Sequence, residues 1–334
     1  MTLLTESDHG LYCPRGRFYV DPWQPVERAV VTHAHADHAR PGSQAYLAAK
    51  AGEHILRTRL PDVASFQFVE YGSTVSMNGV NVSLHPAGHM TGSAQVRMEY
   101  RGEVVVVTGD YKRQADPTCA AFEPIKCHTF VTESTFGLPI YRWKNPQAVF
   151  DDINQWWRTN QQAGRTSVLF TYAVGKSQRI LSGIDTSIGP VFAHGAILKA
   201  NAAYRRCGVE LPEAGNILEQ DKTFDWSRTL VLAPPSARGS TWLRRFGNVS
   251  MAMASGWMGV RGIRRRRVVD RGFVISDHVD WPDLMQTIKE TEAENVWVTH
   301  GYSAQVARHL QQQGVAAKVI KTEFRGEVEE AESP

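Results

Sequence analysis

Residues 32–39 of the chain read Thr-His-Ala-His-Ala-Asp-His-Ala, and this stretch decides how the rest of the sequence is interpreted. It follows a short apolar run that is typical of a buried β-strand. Imidazole nitrogen and carboxylate oxygen are the ligands that zinc prefers, and both also bind manganese. Three histidines and one aspartate at this spacing therefore predict ligands for a pair of divalent cations: His33, His35, Asp37 and His38.

Four side chains do not complete two cation sites, and the missing ligands are expected at the ends of other predicted strands. His89 lies between glycines in Gly88-His89-Met90-Thr91-Gly92, Asp110 follows a run of four valines, and His300 follows a strand that begins at Asn295. A single histidine or aspartate at a strand end is usually a cap or a turn residue. The repetition of the same placement predicts that these three residues complete the sites.

The pattern of strands and helices predicts an α/β protein of two domains. Short strands dominate the first part of the chain and return near its end, whereas strands and helices alternate in the middle, which indicates βαβ units and a parallel sheet. A helix is expected from His38 into the alanine-rich segment up to Lys50. Candidate metal ligands lie on both sides of the middle part, so the sequence predicts one domain inserted into another. The outer domain is expected at 1–140 and 272–326, the inserted domain at 141–271, and an acidic tail at 327–334.

Composition excludes few function classes. The 334 residues carry 37 Lys and Arg against 34 Asp and Glu, a net charge of +3 that by itself favours no partner. The four cysteines match neither a zinc ribbon nor a disulfide framework, which favours reduced thiols in a cytoplasmic protein. We expect no signal peptide and no membrane span, since the sequence contains no apolar run of about 18 residues.

The motifs of the chain resemble those of the metallo-β-lactamase superfamily, whose His-x-His-x-Asp-His signature is matched by residues 33–38. The resemblance is closest to the β-CASP branch, which processes nucleic acids. Three further stretches carry it: Thr-Glu-Ser-Thr-Phe-Gly at 132–137, Ser-Asp-His-Val-Asp at 276–280 and Val-Thr-His-Gly at 298–301. Asp21 precedes the histidines as a structural aspartate does in the superfamily.

This resemblance implies an αββα metallo-β-lactamase sandwich with an inserted α/β β-CASP cap domain. It also implies two divalent metal ions, zinc or manganese, and a two-metal phosphodiesterase. Carried over position by position, one ion takes His33, His35 and His89, the other takes Asp37, His38 and His300, and Asp110 bridges them.

Within the branch, the short chain resembles the bacterial ligase-associated DNA exonucleases. Gly-Leu-Tyr-Cys-Pro at 10–14 and Tyr-Ala-Val-Gly-Lys-Ser-Gln-Arg at 172–179 carry this narrower likeness. It implies an exonuclease of DNA repair that favours 5′ ends. The expected partner is DNA that is single-stranded or has a free end, with a functional link to an ATP-dependent DNA ligase and a helicase.

The catalytic hypothesis assigns phosphodiester cleavage to a metal-activated hydroxide held by ligands that include Asp37. His278 is the candidate general acid, oriented by Glu133, because a carboxylate partner fixes the tautomer of an imidazole. The alternatives are a supporting role for His278 and a helix-cap role for Glu133.

Substrate contacts are predicted at two places. Lys176 and Ser177 stand at the start of a predicted helix, where backbone N–H groups bind phosphate. The first glycine of a P-loop is absent there, so nucleotide hydrolysis is rejected. Arg264 and Arg265 belong to a run of four arginines that suits phosphate contacts, although a solvated face explains such a run equally well.

Three other functions remain open at this point. The metal motif alone fits a small-molecule hydrolase of the same fold, such as a lactonase or β-lactamase. A binding protein with a degenerate site is disfavoured by the complete ligand set. An RNA-processing ribonuclease is not distinguished from a DNA nuclease by sequence, because no contact to a 2′-hydroxyl can be identified.

Overall fold

The computed structural model describes residues 2–60, 65–221, 223–260 and 269–323. Contacts divide these residues into two compact units. Among the described residues, the first unit contains the chain up to Arg142 together with Asp277 to Glu323, and the second runs from Trp143 to Ser276. Helices and strands are mixed throughout, which confirms the α/β class.

The first unit contains two β-sheets. The first sheet has six strands in sequence order, antiparallel from β1 to β3 and parallel from β3 to β6. Its strands are β1 (Thr5–Ser7), β2 (Gly10–Cys13), β3 (Phe18–Val20), β4 (Arg28–Val30), β5 (Ala45–Ala49) and β6 (Ser65–Val69).

The second sheet of this unit has seven strands in the order β19-β18-β11-β10-β9-β8-β7. β7 to β10 pair antiparallel, and β10, β11, β18 and β19 pair parallel. The strands are β7 (Thr74–Met77), β8 (Val80–Pro86), β9 (Ala94–Tyr100), β10 (Glu103–Val107), β11 (Thr129–Ser134), β18 (Asn295–Gly301) and β19 (Ala316–Val319).

Alternating apolar residues bind the layers of the first unit together. One buried cluster joins the two sheets through residues such as Val20 and Val96. Helices cover the outer faces: α1 (Glu53–Arg59) packs Leu56 into a cluster with the first sheet, and the second sheet is covered by α5 (Trp281–Glu290) and α6 (Ser303–Gln312). The unit thus has four layers, in the order helix, sheet, sheet, helix.

The second unit is built on one parallel sheet of six strands in the order β14-β13-β15-β12-β16-β17. This confirms the parallel sheet predicted from the alternation of strands and helices. The strands are β12 (Thr166–Phe170), β13 (Val191–Ala193), β14 (Gly215–Asn216), β15 (Leu230–Ala233), β16 (Val249–Ala254) and β17 (Arg271–Phe273), and the helices are α2 (Pro146–Gln162), α3 (Lys176–Gly183) and α4 (Gly195–Arg206).

Two sequence predictions differ from this architecture. The helix expected between His38 and Lys50 is wrong, because β5 occupies much of this segment and pairs with β4 and β6. Backbone pairing with two neighbours outweighs the helix propensity of alanine here. The second contact unit also extends past 271 to Ser276, and the pairing of β17 with β16 accounts for residues up to Phe273.

Candidate metal centre

Four side chains from three loops converge at one end of the first unit. Nδ1 of His35 lies 3.1 Å from Nε2 of His33 and 3.1 Å from Nε2 of His89. Oδ2 of Asp110 lies 3.6 Å from Nε2 of His33 and 3.9 Å from Nε2 of His89. The potential ligand atoms of this group all lie within 4.8 Å of one another.

A second group adjoins the first through the same aspartate. Oδ2 of Asp110 lies 3.6 Å from Nε2 of His38, and its other oxygen, Oδ1, lies 3.5 Å from Nδ1 of His300. His38, Asp110 and His300 could hold a cation together. Oδ2 of Asp37 lies 3.7 Å from Nε2 of His38. Asp110 therefore lies between two groups of donors and belongs to both.

The polypeptide reaches this point because several strands end there. β4 leads into the histidine-rich loop, β8 and β9 flank the turn that carries His89, β10 ends shortly before Asp110, and His300 lies near the end of β18. The turn depends on Gly88, whose φ is +72° and where a Cβ atom would lie 2.2 Å from the carbonyl oxygen of Lys112. Only glycine fits such a close backbone approach.

Three histidines form a hydrogen bond through Nδ1 on the side of the ring that faces away from the centre. This contact orients the other ring nitrogen, Nε2, towards the centre. Nδ1 of His38 lies 2.7 Å from Oδ2 of Asp21, and Nδ1 of His89 lies 2.9 Å from the carbonyl oxygen of Asp277. Nδ1 of His33 lies 3.1 Å from Oγ1 of Thr32. In each ring an Nδ1–H that donates to its partner leaves Nε2 directed at the centre, where it can bind a cation once it carries no proton.

The donor set fits a divalent cation of the zinc type. Zinc–nitrogen bonds of about 2.0–2.1 Å in a tetrahedral site place two ligand atoms about 3.3 Å apart. The nitrogen pairs around His35, at 3.1 Å, are close to that spacing. Three imidazoles with a carboxylate in one group, and two with a carboxylate in the other, are the mixed nitrogen and oxygen ligands that zinc and manganese accept.

Electrostatics favour the states in which these residues bind metal. Burial and the neighbouring imidazoles, His38 first, hold the pKa of His33 well below its ordinary value. Burial and the neighbouring imidazoles, His35 first, do the same for the pKa of His89. Burial alone would raise the pKa of Asp110, but the surrounding histidines, His38 foremost, hold it well below its usual range. Neutral imidazoles and an ionised carboxylate are the ligand forms of these groups.

His38 differs because carboxylates surround it. Burial lowers the pKa of its imidazole, but Asp37, Asp110 and Asp21 together raise that pKa to about 10. Binding a cation at Nε2 must therefore displace a proton from this ring, so metal affinity here depends on pH.

His278 and Glu133 form a buried pair beside the two groups. Nδ1 of His278 lies 2.9 Å from Oε2 and 3.0 Å from Oε1 of Glu133, and 3.9 Å from Oδ2 of Asp110. Glu133 also accepts hydrogen bonds from the backbone N–H of Tyr111, at 3.0 Å, and from Oγ1 of Thr135, at 2.5 Å. The carboxylate is thus fixed from several sides, and it fixes the imidazole in turn.

The predicted phosphate contacts in the second unit have other surroundings. The helix does begin at Lys176, but the Lys176 and Ser177 side chains are 0% exposed. The Ser177 hydroxyl donates to the carbonyl oxygen of Tyr172, and Nζ of Lys176 lies 4.6 Å from the centre of the Tyr172 ring. Arg264 and Arg265 lie outside the described residues.

Several residues that shape the centre were not identified from the sequence. They are Thr32, the carbonyl group of Asp277, and the hydroxyl groups of Ser93 and Ser134, which bind the backbone beside His89 and His300. Thr32 adjoins the His-x-His-x-Asp-His motif and Ser134 lies in the motif at 132–137, and these positions were the signal by which the two residues could have been identified. Backbone contacts between distant segments leave no mark in a single sequence.

No helix among the described residues is both long and apolar enough to cross a membrane. No profile of a known protein family matches the chain. The chain shares its fold with a crystal structure of a protein of unknown function from Enterococcus faecalis V583, with a TM-score of 0.59 and 11% identity over 89% of this chain and 79% of that one.

Curated relatives are similar at the level of sequence. A protein named "Probable DNA ligase" from Opitutus terrae is 30% identical over 93% of this chain, which spans 30% of that relative. Endoribonuclease YSH1 of Saccharomyces cerevisiae is 32% identical over 35% of the chain, which spans 15% of it. Cleavage and polyadenylation specificity factor subunit 3 of Dictyostelium discoideum is 28% identical over 42% of the chain, which spans 18% of it. With the His-x-His-x-Asp-His motif at the centre of the site, these similarities show that the chain belongs to the β-CASP branch of the metallo-β-lactamase superfamily.

Proposed function

We propose that the protein is a metal-dependent nuclease, a phosphodiesterase that uses two divalent cations. The observation that carries this proposal is the position of Asp110, which lies between two groups of histidines and within 3.9 Å of the His278 ring. One carboxylate common to two groups of donors can hold two cations a few ångströms apart, the spacing that two-metal hydrolysis of phosphate esters uses.

The proposed architecture follows from the family. The first unit, with its four layers, is the αββα metallo-β-lactamase sandwich, and the second is the inserted β-CASP cap. The division of contacts after Arg142 and after Ser276 supports this assignment. The return of the chain to the first unit brings His278 and His300 to the centre.

The proposed ligands are those that the resemblance to the superfamily implies. One cation is held by His33, His35 and His89, the other by Asp37, His38 and His300, with Asp110 common to both. Cations held by these residues would lower the pKa of a bound water to about 7 and would neutralise charge on the phosphate. Asp21 and the carbonyl group of Asp277 orient His38 and His89, so the imidazoles need no rearrangement to bind.

His278 is proposed as the general acid that gives a proton to the leaving oxygen. Its Nδ1 proton is held by Glu133, so the proton that can move is the one on Nε2. Glu133 keeps the ring in one orientation and stabilises its charged form. Proton transfer of this kind typically contributes about 10²–10⁴-fold to rate.

DNA is the proposed substrate, attacked as an exonuclease from 5′ ends during repair. The similarity to the Opitutus terrae protein supports this, since it extends over 93% of the chain. In that organism a segment similar to this chain belongs to one polypeptide named a DNA ligase. A shared polypeptide supports the functional link to a ligase, and by extension to a helicase, that the subgroup implies.

RNA is the second candidate substrate. The relatives named as endoribonuclease and as a cleavage and polyadenylation factor favour it, although they match 35% and 42% of the chain. We rank DNA first because the longer similarity includes both contact units.

Digestion of matched single-stranded DNA and RNA, each labelled at either end, tests the proposal. The protein is stripped with a chelator and then given zinc or manganese, and Asp110→Ala serves as the inactive control. Early release of a labelled mononucleotide from the 5′ end of DNA is the expected result. Preferential cleavage of RNA would favour the second candidate. Failure to cleave either polymer, together with hydrolysis of a lactone, would replace the proposal with a small-molecule hydrolase.

Lys176 and Ser177 stay candidate phosphate contacts on sequence grounds alone, since both are buried and the backbone N–H of Ser177 donates to the carbonyl oxygen of Tyr172 at 3.2 Å. The side-chain hydroxyl of Ser177 is engaged with Tyr172, so the proposed nuclease mechanism depends on neither residue.

A further inference from the structure

We infer that Ser134 and Ser93 are positioning residues, each of which sets one of the two cation sites by holding the backbone of one histidine. The inference deepens the proposed two-cation centre and rests on it. Neither serine is among the proposed ligands, and both hydroxyl groups bind main chain.

Ser134 holds the segment that carries His300. Its hydroxyl oxygen lies 3.0 Å from the carbonyl oxygen of Thr299 and also contacts the carbonyl oxygen of His300. The carbonyl oxygen of Ser134 accepts a hydrogen bond from the N–H of Tyr302 at 2.9 Å. One residue of β11 thus binds three positions around His300, two in the neighbouring strand β18 and one directly after its end.

This support is needed because His300 adopts a backbone conformation that side chains avoid. Its φ is +59°, in the left-handed region. Gly301 follows with φ +74°, and a Cβ atom there would lie 2.5 Å from the carbonyl oxygen of Ser134. Such a conformation persists where surrounding contacts hold it. Here the contacts come from Ser134, and the result directs the His300 imidazole at Asp110, 3.5 Å away.

Ser93 has the corresponding role at the other site. Its hydroxyl oxygen accepts hydrogen bonds from the N–H groups of His89, at 3.1 Å, and Met90, at 3.2 Å. These bonds close the turn between β8 and β9 that presents His89. Both serines are buried, at 2% exposed for Ser93 and 0% for Ser134, so water cannot replace either hydroxyl without rearrangement.

Loss of either serine is therefore expected to lower the metal affinity of one cation site and not of the other. Loss of groups that orient a ligand typically weakens metal binding by about 10–100-fold. Ser134→Ala is expected to weaken the site of His300 by that factor and leave the site of His89 near its parent affinity. Ser93→Ala is expected to do the reverse, which makes each variant the matched control of the other.

The test is a titration of metal-stripped protein with Co²⁺, followed by calorimetry and by the visible absorption of the bound ion. His89→Ala and His300→Ala first assign the two binding steps to the two sites. Ser134→Ala is expected to lose the step that His300→Ala loses, and Ser93→Ala the step that His89→Ala loses. Circular dichroism of the metal-free proteins checks that each variant is folded.

Gly301→Ala is the second variant for the His300 site, since it disturbs the same backbone while Ser134 stays intact. It replaces Ser134→Ala if that variant does not fold. Parent-like affinity at both binding steps in the folded Ser134 or Gly301 variant would overturn the inference for Ser134. Parent-like affinity at both steps in Ser93→Ala would overturn the inference for Ser93. A parent protein that binds fewer than two ions would instead contradict the proposed two-cation function.

Discussion

The imidazole of His278 faces both oxygens of the Glu133 carboxylate, with Nδ1 2.9 Å from Oε2 and 3.0 Å from Oε1. The pair is buried, with His278 3% and Glu133 1% exposed. A buried carboxylate stabilises a charged imidazole, which is what the acid role proposed for His278 needs, and the pair leads to two predictions.

His278→Ala should keep both cations and still bind DNA, yet lose about 10²–10⁴-fold in cleavage rate, as the loss of a general acid does. A nitrophenyl phosphodiester should be much less affected, because nitrophenolate leaves without a proton. Rates on both substrates, with metal content measured on the same preparation, check the prediction. Equal losses on both substrates together with reduced metal content would make His278 a ligand or its support.

Glu133→Gln should reduce the cleavage rate only through His278. An amide can replace some hydrogen bonds of the carboxylate but not its charge. In the double variant with His278→Ala, the loss should therefore be smaller than the product of the two single losses. Full additivity in this double-mutant cycle would show that Glu133 acts through its other partners, Tyr111 and Thr135.

Asp37→Ala and His35→Ala should each abolish cleavage while the protein remains folded. Both residues lie in the loop after β4 rather than in the apolar clusters, so their loss should remove a cation ligand and little packing. Turnover with excess manganese and thermal unfolding of the metal-free protein check the two halves of this prediction. Near-parent turnover of Asp37→Ala would contradict its assignment as a ligand.

Asp21→Asn should weaken the cation site of His38 by about 10–100-fold, the usual effect of removing the group that orients a metal-binding histidine. Asparagine tolerates the left-handed backbone of this position, where φ is +45°. Its amide nitrogen, however, cannot accept the Nδ1 proton that Oδ2 of Asp21 accepts at 2.7 Å. Metal titration checks the loss, and the exposed Asp8→Asn is the control. Parent-like affinity in Asp21→Asn would show that packing against neighbours such as the His33 ring, 4.1 Å away between centroids, suffices to orient His38.

The sequence predicts which side chains converge at the centre better than it predicts the residues that support them, for a physical reason. His33, Asp110 and His300 lie at strand ends, and the period and composition of strands are visible in the sequence. Ser93 and Ser134 act through backbone contacts that depend on folding. Local propensity also failed at β5, where alanines form a strand because β4 and β6 lie on either side.

The same limit applies to the predicted phosphate contacts. The helix start at Lys176 was predicted correctly, but not the burial of its side chain at 0% exposed. A single sequence shows where a helix begins, whereas burial depends on what packs against it.

Arg264 and Arg265 lie outside the described residues, so their role remains a prediction from the sequence. If both contact phosphates, changing them together to alanine should reduce the salt dependence of DNA binding by about two units of slope, since each phosphate contact contributes about one. The catalytic rate at saturating DNA should stay close to that of the parent. The control variant replaces two exposed arginines of the first unit, Arg15 and Arg142, and removes the same charge. Binding affinity measured over a range of salt concentrations distinguishes phosphate contacts by these arginines from a general effect of positive charge. An equal change of slope in both variants would mean that the arginine run acts only through net charge. An unchanged slope would show that the arginines are solvated and contact no phosphate.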